Sequence, residues 1–271
     1  MSLPHIPHFT AHLLHFEVVI RGLFYCHFLH RNIVGYSTQS MLAETGYNFI
    51  IPTFVDVGAD TATYDLQNLK LVNAPGDGMT DFIVGYDKDA CLTNEDYYWT
   101  TIEGDPFGNC TKDGWYNGMW STELVESKTL SLGTGLYLYL GTAGTSVQYA
   151  GQVFAEAFTT PALSAGYSMV GNATPVVQDL QNIKLVDAPG DGMTDFIVGY
   201  DANACLTEED YYWTTVAGDP FGNCTKDGWY NGMWSTEIVE DYTLQPGQGF
   251  YLYVGTEGAK VKFPACITNA N

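Results

Sequence analysis

The chain has 271 residues, 46% of them hydrophobic, and its 31 acids against 10 basic residues give a formal net charge of −21. That apolar content can build cores, so disorder is not the leading description. A surface this acidic repels phosphate backbones and anionic lipid, which makes nucleic acid a poor partner, and no clean apolar run of about 20 residues offers a membrane span.

Charge divides the chain at residue 31. All six histidines (His5, His8, His12, His15, His27, His30) and both arginines (Arg21, Arg31) precede this point, alongside a single acid, Glu17. Residues 1–31 therefore read as an atypical N-terminal extension. Leu13–Leu29 is largely apolar, but His15, Glu17, Arg21 and His27 interrupt it, so it makes a poor export signal. The extension is either a start called too early or a donor strand, since Phe16–Phe24 is rich in β-branched and aromatic residues. His5, His8, His12 and His15 have helical metal-site spacing, yet Pro4 and Pro7 oppose a helix there.

Beyond the extension the signals are β. Asn48–Phe54, Asp81–Tyr86 and Asp96–Thr101 are short strand candidates, separated by turn clusters at Pro75–Gly78 and Gly104–Asn109. In Leu136–Leu140, three leucines alternate with Tyr137 and Tyr139, which predicts one aliphatic face and one tyrosine face. The pattern then repeats: Leu66–Glu126 aligns with Leu180–Glu240 at an offset of 114 without a gap, differing at eight positions. The expected organisation is all-β, with two tandem jelly-roll-like β-sandwich modules related by duplication, spanning residues 32–149 and 150–271.

Cys91 and Cys110 recur as Cys205 and Cys224, which suggests one disulfide per module and hence an oxidising, extracellular location. A metal site is the rival reading of these cysteines. Cys26 and Cys266 have no counterparts, and their pairing is open.

The modules hold no histidine, so no Ser-His-Asp, Cys-His or His-metal chemistry is expected, and no catalytic residue is assigned. Carboxylate-only hydrolysis remains formally available. Asn73, Asp77 and Asp81, repeated as Asp187, Asp191 and Asp195, place oxygen ligands around a glycine turn, as a Ca²⁺ site requires. With the following Phe-Ile-Val-Gly, the turn resembles the calcium loop of FG-GAP propeller repeats. It departs at Pro75 and Pro189, where that loop has a third oxygen side chain, and an ordinary solvated turn is the alternative. The aromatic set Tyr98, Trp99, Trp115 and Trp120, repeated as Tyr212, Trp213, Trp229 and Trp234, can either hold sugars or fill cores.

Gly166-Tyr-Ser-Met-Val-Gly-Asn-Ala, Tyr212-Trp213 and Leu244-Gln-Pro-Gly-Gln-Gly-Phe-Tyr-Leu-Tyr are similar to a β-sandwich module of secreted bacterial surface proteins. That module reads Gly-Trp-Asn-Leu-Val-Gly-Asn-Pro early and Leu-x-Pro-Gly-Gln-Gly-Phe-Trp late. The resemblance implies the fold and export, and transfers no active site. The expected function is a secreted structural protein that self-assembles, as a homo-oligomer or filament, or attaches to a surface. Binding of cell-surface glycan, with or without Ca²⁺, is the alternative.

Overall fold

The computed structural model describes residues 11–13, 16–18, 34–40, 45–59, 61–154, 156–208 and 211–266. Among them, strands dominate, two single turns of 3-10 helix occur, and no α-helix is present. Among the described residues, no helix is long and apolar enough to cross a membrane.

β1 (Ala11–Leu13) and β2 (Phe16–Val18) pair antiparallel within the expected extension. The rest of Phe16–Phe24 lies outside the described residues, as do Cys26 and all the histidines except His12, which is in β1. The N-terminal half continues with β3 (Val34–Ser40), β4 (Gly46–Ile50), β5 (Thr63–Asp65), β6 (Leu69–Val72), β7 (Asp77–Tyr86) and β8 (Leu92–Thr100). It closes with β9 (Gly114–Asn117), β10 (Thr129–Ser131), β11 (Leu136–Leu140) and β12 (Ser146–Gln152). The C-terminal half holds β13 (Phe158–Thr159), β14 (Gly166–Gly171), β15 (Gln178–Asp179), β16 (Lys184–Val186) and β17 (Asp191–Val198). Its remaining strands are β18 (Tyr211–Thr214), β19 (Gly228–Asn231), β20 (Thr243–Leu244), β21 (Gly249–Val254) and β22 (Lys260–Phe263). β12 runs across residue 150, the expected division, so the connection between halves starts at Val153.

Each half builds a five-stranded antiparallel sheet, β4-β11-β7-β8-β9 and β14-β21-β17-β18-β19, in the same order. A three-stranded sheet (β3-β12-β6 or β13-β22-β16) and a two-stranded one (β10-β5 or β15-β20) accompany it. Period-two alternation sends Ile50, Ile83, Trp99, Trp115 and Leu138 of the large sheet into one core, where they meet Leu69, Leu71, Val147, Tyr149, Tyr64 and Leu130 of the smaller sheets. The layers are sandwich-like.

The other face of each large sheet is also buried. Phe49, Val84 and Tyr137 of one half pack against Met169, Val198 and Tyr251 of the other. On the tyrosine face of Leu136–Leu140, Tyr137 therefore meets the second half, whereas Tyr139 is half-exposed and packs on Tyr47 and Phe82 of its own half. The sheet edges are closed reciprocally. Edge strand β4 donates Tyr47 N–H to Ala202 O (2.8 Å) and Phe49 N–H to Tyr200 Oη (3.1 Å). β14 donates Tyr167 N–H to Lys88 O (2.6 Å) and Met169 N–H to Tyr86 Oη (2.8 Å). Covering an open edge in this way removes a template for unwanted strand pairing. Gly46 and Gly166, at φ +99° and +111°, permit the approach, because a Cβ there would lie 2.6 Å from Ala202 O and 2.4 Å from Lys88 O. Ile51, Val55 and Leu132 of the N-terminal half also join the C-terminal core.

The expected disulfides are not formed. Cys91 and Cys110 are free thiols, as are Cys205 and Cys224. Cys91 sits in the β7–β8 turn, and Cys110 lies in the loop beyond the far end of β8. The intervening nine-residue strand spans roughly 30 Å, whereas a disulfide needs Cα atoms within about 7 Å. Cys110 Sγ instead lies 2.9 Å from Lys112 O, and Cys224 Sγ lies 3.0 Å from Lys226 O. Alkylation of the denatured, unreduced protein is accordingly expected to label Cys91, Cys110, Cys205, Cys224 and Cys266. Recovery of a Cys91–Cys110 linked peptide from an unreduced digest would overturn this.

Candidate functional site

The eight aromatic candidates separate into two classes. Trp99, Trp115, Trp213 and Trp229 are buried, as are Tyr98 and Tyr212. Trp115 donates its Nε1–H to Leu69 O (2.8 Å), and Trp229 does the same to Ile183 O (2.7 Å). The amide of Gln67 binds the backbone of Trp115 and Val125, with Gln181 in the same role in the C-terminal half. These residues are core. Trp120 and Trp234 are different, each 43% exposed.

Trp120 does not stand alone. Phe107, 61% exposed, meets it edge to face at 5.6 Å, and Phe221, 60% exposed, meets Trp234 at 5.5 Å. Met79, Ile102 and Met119 are exposed in the strand and loops at the same end of the N-terminal half, matched by Met193, Val216 and Met233. Exposed apolar groups clustered so closely mark an interaction surface more than scattered ones do.

The loops behind each platform are fixed. Asp105 Oδ1 accepts Phe107 N–H (2.9 Å), and Oδ2 accepts Asn109 N–H (2.5 Å) and Cys110 N–H (2.6 Å). These backbone donors, Phe107 foremost, hold the Asp105 carboxyl below the usual range. Asp113 Oδ1 accepts Ile102 N–H at 2.8 Å, and Asp227 Oδ1 accepts Val216 N–H at 2.8 Å. Trp120 and Trp234 adopt left-handed backbone, at φ 54° and 52°, and donate N–H to Gly78 O and Gly192 O at 3.1 Å. Left-handed backbone is uncommon for such a bulky residue and is held here by its surroundings. Binding to such a surface requires little further ordering of the protein.

The signal for Phe107 was present in the sequence. In Asp105-Pro-Phe-Gly-Asn, a short acidic turn holds a large apolar residue at its tip, where no core can be built around it.

The oxygen ligands expected for Ca²⁺ do not converge. Asp77 turns its carboxylate onto its own loop, accepting Met79 N–H (2.9 Å), Thr80 N–H (2.8 Å) and Thr80 Oγ1–H (2.5 Å), and Asp191 repeats this. Asp187 pairs with Lys260 at 2.8 Å. Asn73, at φ 63°, occupies a left-handed turn position. Among the described residues no three His, Cys, Asp or Glu side chains gather to hold a metal.

Asp81 and Asp195 are buried. One oxygen of each accepts a backbone N–H, from Gly141 or Gly255 at 3.1 Å, and the other has no partner among the described residues. Burial raises both carboxyls to about 6 from 3.8, and the charge of Asp77 or Asp191 adds to the effect. Because the folded-state value is raised, the contribution is fully present below pH 3.8 and is lost as pH climbs through about 6. Stability is therefore expected to fall between about pH 4 and about pH 6 by up to about 3 kcal/mol per site. Lower self-repulsion at acid pH acts in the same direction, so the paired variant Asp81→Asn/Asp195→Asn isolates the effect. Urea midpoints of that variant should vary less with pH than wild type. An unchanged slope would contradict the assignment.

No protein-family model, curated protein or solved structure matches this chain.

Proposed function

We propose that this chain is an exported, non-catalytic attachment protein made of two copies of one β-sandwich module, each presenting an aromatic platform that grips neutral sugar rings. The observation carrying the reading is the pair of exposed Phe-Trp clusters, Phe107/Trp120 and Phe221/Trp234, on loops braced by the same aspartates. Flat apolar rings complement the C–H faces of a sugar, and the exposed Asn109, Lys112 and Asp113 nearby offer polar partners for its hydroxyls. Two platforms in one body provide avidity on a polymer. The gap-free repeat and the matching sheet orders support duplication. Export rests on the module resemblance, since the thiols are free.

Self-association is the second reading, favoured by the methionines beside each tryptophan, which make the patch suited to a protein surface. A neutral-glycan array probed with the intact protein, beside light scattering at rising concentration, separates the two. Saturable glycan signal from a monomer supports attachment. Concentration-dependent growth without glycan signal favours self-association.

A further inference from the structure

Each platform tryptophan is flanked by two exposed methionines. In the N-terminal half, Met119 directly precedes Trp120, and Met79 follows Gly78, whose carbonyl accepts Trp120 N–H at 3.1 Å. A Cβ on Gly78 would lie 3.6 Å from Trp120 Cδ1, so the indole rests against the strand that carries Met79. The C-terminal half repeats this with Met233, Trp234, Gly192 and Met193, where the matching distance is 3.5 Å. These four methionines are 43–46% exposed, whereas Met169 is buried at the junction between the halves. Among the described residues, exposed thioethers are therefore confined to the two platforms.

We infer that Met79, Met119, Met193 and Met233 are oxidation sites through which a peroxide reversibly weakens the grip of the platforms. In each step one oxygen of hydrogen peroxide passes to a thioether sulfur. The S–O bond forms as the O–O bond breaks, and sulfur gives up two electrons. The departing hydroxide takes the proton of the transferred oxygen and leaves as water. The product is a polar sulfoxide, which a methionine sulfoxide reductase returns to the thioether. Each new oxygen sits beside the Phe-Trp pair, so a surface that contacts its ligand by shedding water comes to hold water instead. The four sites are open to solvent without unfolding, and Met169 is not. This inference rests on the platforms gripping sugar rings, the reading proposed above, and names a regulation of that same site.

The test treats the intact protein with dilute hydrogen peroxide and passes it over the array-selected glycan by surface plasmon resonance. Exposed thiols are first capped by alkylation, and the capped, unoxidised protein is the reference. Peptide masses should show one added oxygen on Met79, Met119, Met193 and Met233 ahead of Met169. Retention should weaken by at least about tenfold as these apolar contacts become polar, and treatment with methionine sulfoxide reductases should restore it. In Met79→Leu/Met119→Leu/Met193→Leu/Met233→Leu, retention should not change with peroxide, whatever its untreated level. The reductase reversal carries the test if that variant misfolds. Full retention with all four sites oxidised, a loss the reductases do not reverse, or equal peroxide sensitivity in the leucine variant would overturn the inference and leave the attachment reading standing. Untreated protein without glycan signal would overturn both.

Discussion

Tyr200→Ala is expected to destabilise the whole chain by about 3–5 kcal/mol, the range for truncating a packed aromatic. The ring stacks on Phe49 across the junction at 3.7 Å, and the hydroxyl accepts Phe49 N–H on an otherwise open sheet edge. Alanine removes both the packing and the acceptor, leaving a backbone donor exposed to a junction that no longer fits. Tyr200→Phe keeps the ring and should cost only about 1–2 kcal/mol, the penalty of an unsatisfied donor. Tyr86→Ala should behave like Tyr200→Ala, since Tyr86 Oη caps Met169 N–H from the other side. Urea unfolding followed by tryptophan emission measures all three. A loss below about 1 kcal/mol for Tyr200→Ala would show that the junction contributes little.

The second large effect concerns binding. Trp120→Ala or Trp234→Ala alone removes one of two equal platforms, and the loss of avidity should weaken retention on a polymeric glycan by about a hundredfold or more. The double variant should lose retention altogether, because a central aromatic anchor is typically worth at least about 2 kcal/mol at each contact. Both tryptophans are largely outside the cores, so the variants should keep the wild-type unfolding free energy to within about 1 kcal/mol. Surface plasmon resonance over the immobilised glycan selected by the array supplies the measurement. Double-variant retention equal to wild type would remove the platforms from the account.

Much of the strand architecture was legible because alternation is a local property. Leu136, Leu138 and Leu140 point into a core as their spacing predicts, and Tyr137 occupies the opposite face. What covered that face was not legible, since a strand buried on both sides and one with a wet tyrosine face read alike in sequence. The cysteines misled for a related reason. Their equal separation in both halves fixed how many residues lay between them, but not that those residues include an extended strand carrying the sulfurs apart. The tryptophans could not be sorted by type. Trp115 and Trp120 are five residues apart, yet one follows the strand into the core and the other sits in a left-handed turn after it. In the candidate calcium turn, Asp77 accepts hydrogen bonds from its own loop, which its spacing to the other acids did not foretell. Two carboxylates at suitable spacing do not reveal whether nearby backbone N–H groups have already claimed them.

The attachment account is tested most directly by the emission of its two exposed tryptophans. Trp99, Trp115, Trp213 and Trp229 are buried, so the solvent-quenchable part of the spectrum should come from Trp120 and Trp234. Titration with the array-selected glycan should shift and protect that component saturably, in proportion to occupancy. The Trp120→Ala/Trp234→Ala variant should show neither the component nor the change. A glycan-dependent shift that survives in the double variant would place binding elsewhere on the molecule and contradict the account.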